Sequence, residues 1–171
     1  GGYASTTEPD TWTDVETALE AVESADADGT GFVFTDDDPI VGIDLDDCRD
    51  PETGMIDEWA RDVVTRLDSY TELSPSGTGV HIIVEGELPA GRSRKGDIEM
   101  YETSRFFTVT GEHLDATPRA VDRRVDAIRG VHADYVQDSP DDEGVEDREP
   151  PVESPGGSFD LEDEELLERA R

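Results

Sequence analysis

Ile40-Val41-Gly42-Ile43-Asp44-Leu45-Asp46-Asp47-Cys48 is a short apolar run with acids set into it. Side chains alternate faces along a strand, so Asp44 and Asp46 project to one side while Ile43 and Leu45 go to the other. The stretch therefore predicts a strand with a buried face and a face carrying two neighbouring carboxylates. Burying like charges is costly unless a cation neutralises them, which points to a divalent metal. The competing reading is a surface strand that ends in a polar turn over 47–54. A calcium loop is excluded, because Asp44 to Arg49 lacks the third spaced acid and the glycine of an EF-hand.

Downstream, Ser74-Pro75-Ser76-Gly77-Thr78-Gly79-Val80-His81 is a loop of small residues opening into a strand. Ser76 offers a hydroxyl to phosphate oxygens, and Gly77 and Gly79 allow close backbone approach. His81 shares a strand face with Ile83, opposite Val80, Ile82 and Val84; it is either a structural histidine or, beside this loop, a phosphate contact. Asp97-Ile98-Glu99-Met100-Tyr101 repeats the opening pattern, with Asp97 and Glu99 on one face. If the strands are close, Glu99 completes a carboxylate trio with Asp44 and Asp46. Three acids around divalent cations beside phosphate binders suit phosphoryl or nucleotidyl transfer. Arg92-Ser93-Arg94-Lys95 and then Arg105 supply bases there, unless the first cluster only keeps a hairpin loop soluble.

The rest of the chain frames this middle. Val15, Ala18, Leu19 and Val22 predict a helix near 13–25 opened by a Thr13–Glu16 capping box. Phe32 to Phe34 reads as a strand that makes a hairpin with the opening stretch across Asp36-Asp37-Asp38-Pro39, a solvated turn. Ile56, Trp59, Ala60, Val63, Val64 and Leu67 predict a helix near 55–68, with Trp59 in the core. Val80–Val84, Ile98–Tyr101 and Phe106–Val109 read as strands. Thr117-Pro118 predicts the start of a helix carrying Val121, Val125, Ile128 and Tyr135 on one face. The expected organisation is a domain over 1–136, an acidic Pro/Gly linker over 137–158 and the start of a helical domain over 159–171. The absent initial methionine and the stop inside a helical pattern suggest a piece of something longer.

Charge is the loudest compositional fact: 45 acids against 14 bases give −31, and Lys95 is the lone lysine. Such a surface repels itself in dilute buffer, whereas at about 1 M salt the screening length falls to about 3 Å. The acids run through the periodic segments, which predicts adaptation to molar salt rather than a disordered acidic tail. Residues 70–110 hold 6 acids and 4 bases and are near neutral, so a phosphate is tolerated there. The molecule lacks the basic footprint of an ordinary DNA binder. Cys48 alone permits no intrachain disulfide and no cysteine-built zinc site. No apolar run approaches the ~18 residues of a membrane span, and the expected location is the cytoplasm.

In order, the acid-x-acid strand Asp44-Leu45-Asp46, the small-residue turn ending in His81, and Glu99 followed by Arg105-Phe106-Phe107-Thr108-Val109-Thr110-Gly111 resemble the primase-polymerase domain of the archaeo-eukaryotic primase superfamily. The similarity is closest to versions carried by phages and haloarchaeal mobile elements, and it covers roughly residues 2–115. It implies an α+β fold with a mixed or antiparallel sheet carrying the acids and helices packed on one face. It implies that Asp44, Asp46 and Glu99 hold two Mg²⁺ or Mn²⁺ ions, that His81 and Ser76 contact the nucleotide's phosphates, and that Arg105 helps to hold the triphosphate. Lys95 and Arg94 are expected as phosphate or template contacts from charge alone. The implied activity is template-dependent transfer of nucleoside triphosphates to a 3′-hydroxyl on DNA, with a replicative helicase as a possible partner. Two rivals remain at this point: an inactive nucleotide-binding remnant, and a metal-dependent phosphodiesterase or nuclease built on the same trio.

Overall fold

A computed structural model describes residues 5–25 and 30–137. The expected linker over 137–158, save Gln137, and the expected terminal helix over 159–171 lie outside them. Strands are β1 (Thr30–Val33), β2 (Ile40–Leu45), β3 (Tyr70–Leu73), β4 (Val80–Glu85), β5 (Arg94–Lys95), β6 (Ile98–Tyr101) and β7 (Phe106–Val109). Helices are α1 (Val15–Ala25), α2 (Glu58–Leu67) and α3 (Val125–Val131), the last running into a π turn over His132–Val136. The strands form a five-stranded sheet in the order β3-β4-β2-β6-β5 and a separate β1-β7 pair. All pairings are antiparallel, as expected for an α+β domain with an antiparallel sheet.

β2 is the central strand, and its alternation divides the sheet as the sequence predicts. Val41, Ile43 and Leu45 are fully buried with Val80, Ile82, Val84, Ile98 and Met100. Against this face pack Ala60, Val63 and Leu67 of α2, Ile128 and Val131 of α3, and Val136. Each such large aliphatic side chain contributes about 1.5–3 kcal/mol on burial, so both helices are held to one side of the sheet. α2 has Ala60, Val63 and Leu67 on one stripe. It ends at Asp68, whose N–H still donates to the Val64 carbonyl while its left-handed backbone (φ 41°) turns the chain out of the helix. Trp59, expected in the core, is half-buried and packs against its margin.

Three expectations are corrected. β1 does not form a hairpin with β2. It pairs with β7, and the Phe34 N–H donates to the Arg105 carbonyl beyond the ladder. The segment Thr35–Pro39 instead carries the chain from the small sheet to the large one. The helix expected from Pro118 begins only at Val125, because Asp122 and Arg124 exchange backbone hydrogen bonds with Glu85 at the end of β4. At α1 the cap is Asp14 rather than Thr13: its Oδ1 accepts from the Thr17 N–H at 2.8 Å. This bond and the Thr17 hydroxyl lower the Asp14 carboxyl below its usual range.

Candidate functional site

The face of the large sheet opposite the helices carries one row of polar side chains, set by strand register. Glu72 on β3 stands opposite His81 on β4, His81 opposite Asp44 on β2, Asp44 opposite Glu99 on β6, and Glu99 opposite Arg94 on β5. Adjacent strands lie about 4.8 Å apart, so neighbours in the row are in electrostatic reach. Asp46 follows β2 on the same face, its N–H donating to the Asp97 carbonyl at 2.8 Å. The structure thus brings Asp44, Asp46, Glu99, His81 and the expected base Arg94 together and adds Glu72.

His81 is buried between two carboxylates. Its Nε2 is 3.6 Å from Asp44 Oδ1 and its Nδ1 is 3.8 Å from Glu72 Oε1, contacts that are electrostatic rather than hydrogen bonds. Phe107 of β7 stacks on the imidazole with ring centroids 4.5 Å apart, and Phe34 packs edge-on against Phe107. Gly42 makes room for this aromatic cover, because a Cβ there would meet Phe34 and would lie 2.6 Å from Phe107. Little of His81 is therefore left for a ligand to touch directly.

Glu72 is fully buried yet well satisfied. Tyr70 Oη donates to it at 2.8 Å, and the N–H groups of Thr110 and Gly111 donate at 3.0 Å. Burial alone would raise its pKa, but His81, Tyr70 and the two amides outweigh it and hold the carboxyl below its usual range. Burial and the same pairing push the Tyr70 hydroxyl up to about 12. This acid escaped sequence reading, since Tyr70-Thr71-Glu72-Leu73 lacks the apolar alternation that flanks Glu99.

Asp44 is the opposite case. Burial raises its pKa to about 6 against the pull of His81, with Asp46 and Glu99 adding to the rise. Its Oδ1 is buried and has no hydrogen-bond partner. Asp46 is also raised, first by burial and then by Glu99, Asp47 and Asp97. An unpartnered buried oxygen beside a second carboxylate fits a divalent cation. Glu99 is engaged elsewhere: Arg94 Nε lies 2.9 Å from its Oε1, and the Tyr101 hydroxyl bonds its Oε2. Among the described residues, no three His, Cys, Asp or Glu side chains converge closely enough to cage an ion as they stand.

The loop after β3 closes against the end of β2. Gly77 has φ +73°, and a Cβ on Gly79 would lie 2.5 Å from the Leu45 carbonyl, so both positions favour glycine. The Gly77 amide donates to the Ser74 carbonyl and the Gly79 amide to Ser74 Oγ. These amides are spent inside the loop. What it presents is a chain of hydroxyls, Ser74–Ser76 at 3.0 Å and Ser76–Thr78 at 2.9 Å, with Ser76 exposed. Arg49 braces the loop through Nη1 to the Gly77 carbonyl at 2.7 Å.

Lys95 pairs with Ile98, and its register position is on the opposite side of the sheet from the row. The base that reaches the row is Arg94. Arg105 is exposed and lies 5.0 Å over the Tyr101 ring, so it addresses the same corner through Tyr101.

An α+β domain with an antiparallel sheet, helices on one face and this acid–histidine–arginine row on the other has the form of a primase-polymerase core. No family model matches the chain. Over 121 residues it is 41% identical to the DNA primase-polymerase of Nitratiruptor phage NrS-1, a match that covers 67% of this chain and 17% of that protein. The chain belongs to the primase-polymerase family, and it spans about a sixth of that relative's length.

Proposed function

We propose that this domain is the nucleotidyl-transfer core of a primase-polymerase, taking nucleoside triphosphates and a DNA template in the replication of a virus, plasmid or integrated element. The observation that carries the reading is the row itself, with Asp44, Glu99 and Arg94 in register and Asp46 following on the same face, in a chain 41% identical to a DNA primase-polymerase. Asp44 and Asp46 are the first holders of Mg²⁺ or Mn²⁺, with Glu99 joining once its arginine partner is released. A bound divalent cation would supply charge neutralisation for the triphosphate and lower the pKa of the attacking hydroxyl. The Ser76 hydroxyl and the guanidinium groups of Arg94 and Arg105 bind phosphate oxygens. His81, packed between Glu72 and Phe107, presents its Nε2 to Asp44 from the neighbouring strand. We further propose that the protein works in the cytoplasm at molar salt and that a helicase acts with it. No helix among the described residues is long and apolar enough to cross a membrane.

Primer extension in molar KCl with Mn²⁺ and dNTPs tests the reading, comparing the wild type with Asp44→Ala/Asp46→Ala after circular dichroism shows that both fold. Extension by the wild type alone supports a polymerase centre. A folded wild type that binds dNTP without extending the primer indicates an inactive remnant. Degradation of a labelled oligonucleotide without dNTPs indicates a nuclease.

A further inference from the structure

Glu99 is the one acid of the expected trio with both oxygens occupied, Oε1 by Arg94 Nε at 2.9 Å and Oε2 by the Tyr101 hydroxyl. Asp44, across the ladder, has a buried oxygen with no hydrogen-bond partner. The row thus places a carboxylate with both oxygens taken beside one with an oxygen still open to a ligand. Arg94 sits on the two-residue edge strand β5, and its side chain is 52% exposed. An ion pair so exposed contributes about 0–1 kcal/mol and is readily exchanged. A guanidinium binds phosphate oxygens through two parallel hydrogen bonds, which a triphosphate offers and the present single Nε contact does not. Arg105, over the Tyr101 ring, directs a second guanidinium to the same corner.

We propose that Arg94 is an exchangeable holder of Glu99. In the nucleotide-free chain it keeps this carboxylate away from a cation, and an incoming triphosphate takes over the guanidinium and frees Glu99 to face Asp44 and Asp46. The inference rests on the nucleotidyl-transfer reading, and it makes Arg94 both a triphosphate ligand and the positioning residue for the third acid. Complete cation binding is thereby coupled to nucleotide arrival, because the guanidinium cannot serve Glu99 and the phosphates together.

The test is Mn²⁺ affinity of the nucleotide-free chain in molar KCl, read from the free-ion paramagnetic resonance signal, for the wild type, Arg94→Gln, Arg92→Gln and Asp44→Asn. Arg94→Gln should bind Mn²⁺ about two- to fivefold more tightly, the size expected for removing an exposed ion pair. Arg92→Gln removes the same charge two residues before Arg94, outside β5, and should leave the affinity unchanged. Equilibrium dialysis with dATP, without primer or template, should show Arg94→Gln binding about tenfold more weakly, as expected for a lost charge-assisted contact. Unchanged Mn²⁺ affinity in Arg94→Gln, an equal shift in Arg92→Gln, or unchanged dATP binding overturns the proposal and leaves Arg94 as an edge-strand charge. If Asp44→Asn also binds Mn²⁺ like the wild type, the metal-site reading fails as well, a result distinct from failure of the exchange alone.

Discussion

Asp44 and Glu72 flank the same imidazole and are shifted in opposite directions. Asp44 is raised to about 6 by burial and two neighbouring acids, whereas the donors around Glu72 hold it low. A raised carboxylate binds its proton more tightly in the folded state, so ionising Asp44 costs stability as pH rises from about 4 to about 6. The cost is at most about 3 kcal/mol for a shift of this size. Asp44→Asn is therefore expected to abolish primer extension and to stabilise the metal-free fold. Its advantage over the wild type should grow between about pH 4 and pH 6 and be constant above. Urea unfolding of both proteins across that range checks the sign, and Mn²⁺ should erase the difference above pH 6 by neutralising the wild-type carboxylate. Glu72 contributes in the other sense, its stabilisation being present at neutral pH and lost as pH falls through its depressed pKa. Replacing it in Glu72→Gln leaves a buried amide facing two N–H donors, and should cost about 1–3 kcal/mol in the same unfolding assay. Of these two, Asp44 is legible in the sequence because an acid inside an apolar alternation is improbable without a function. Glu72 is not, because its importance arises only when β3 pairs with β4.

At the scale of elements, alternation in β2, β4 and β6 predicts which side chains share a face, and the structure agrees residue by residue. Alternation does not say which strand pairs with which. Phe32 to Phe34 is followed by a turn signal and then by β2, the pattern of a hairpin, yet the partner of β1 is β7, more than 70 residues away. β5 has two residues and Tyr70-Thr71-Glu72-Leu73 of β3 lacks apolar alternation, and the Pro118 helix signal yields to backbone bonds with Glu85 that only the tertiary fold supplies. The β1–β7 pairing has a consequence for the site, since it brings Phe34 and Phe107 over Gly42 and His81. A methyl group at Gly42 would push both rings away. Gly42→Ala is thus expected to cost about 1–3 kcal/mol, as overpacking does in other cores. It should also lower nucleotide incorporation more than a core truncation of equal destabilisation on the helix side of the sheet, because His81 loses its stacking partner. Comparing it in urea unfolding and primer extension with Val63→Ala, a core truncation on the far side of the sheet, separates the two effects. Equal loss of activity at equal stability would argue against a role for the aromatic cover.

For the whole molecule the deciding quantity is the net charge of −31. Residues 70–110, which hold five of the seven strands among the described residues and most of the row, are near neutral in sum, while the acids crowd the flanking segments. Self-repulsion among those segments acts over about 10 Å at 0.1 M salt and about 3 Å at 1 M, so raising salt removes most of an unfavourable term of the folded state. Two opposing effects then govern DNA. Screening relieves the repulsion between an acidic protein and a polyanion, whereas each phosphate contact made by an arginine or lysine weakens with salt through counterion release. With so few bases on the row side, counterion release should remain small, so screening should dominate for DNA as it does for folding. The melting temperature is expected to rise steeply with KCl from 0.1 M towards 1 M and above. An uncharged osmolyte such as sucrose, which favours compact states without screening, should not reproduce the steepness. Thermal unfolding in parallel KCl and sucrose series provides the measurement. A melting temperature that is flat in KCl would remove the case for salt adaptation and leave the acids as ordinary solubilising charge. A steep rise would mean that the acids crowding the flanking segments are tuned to their solvent.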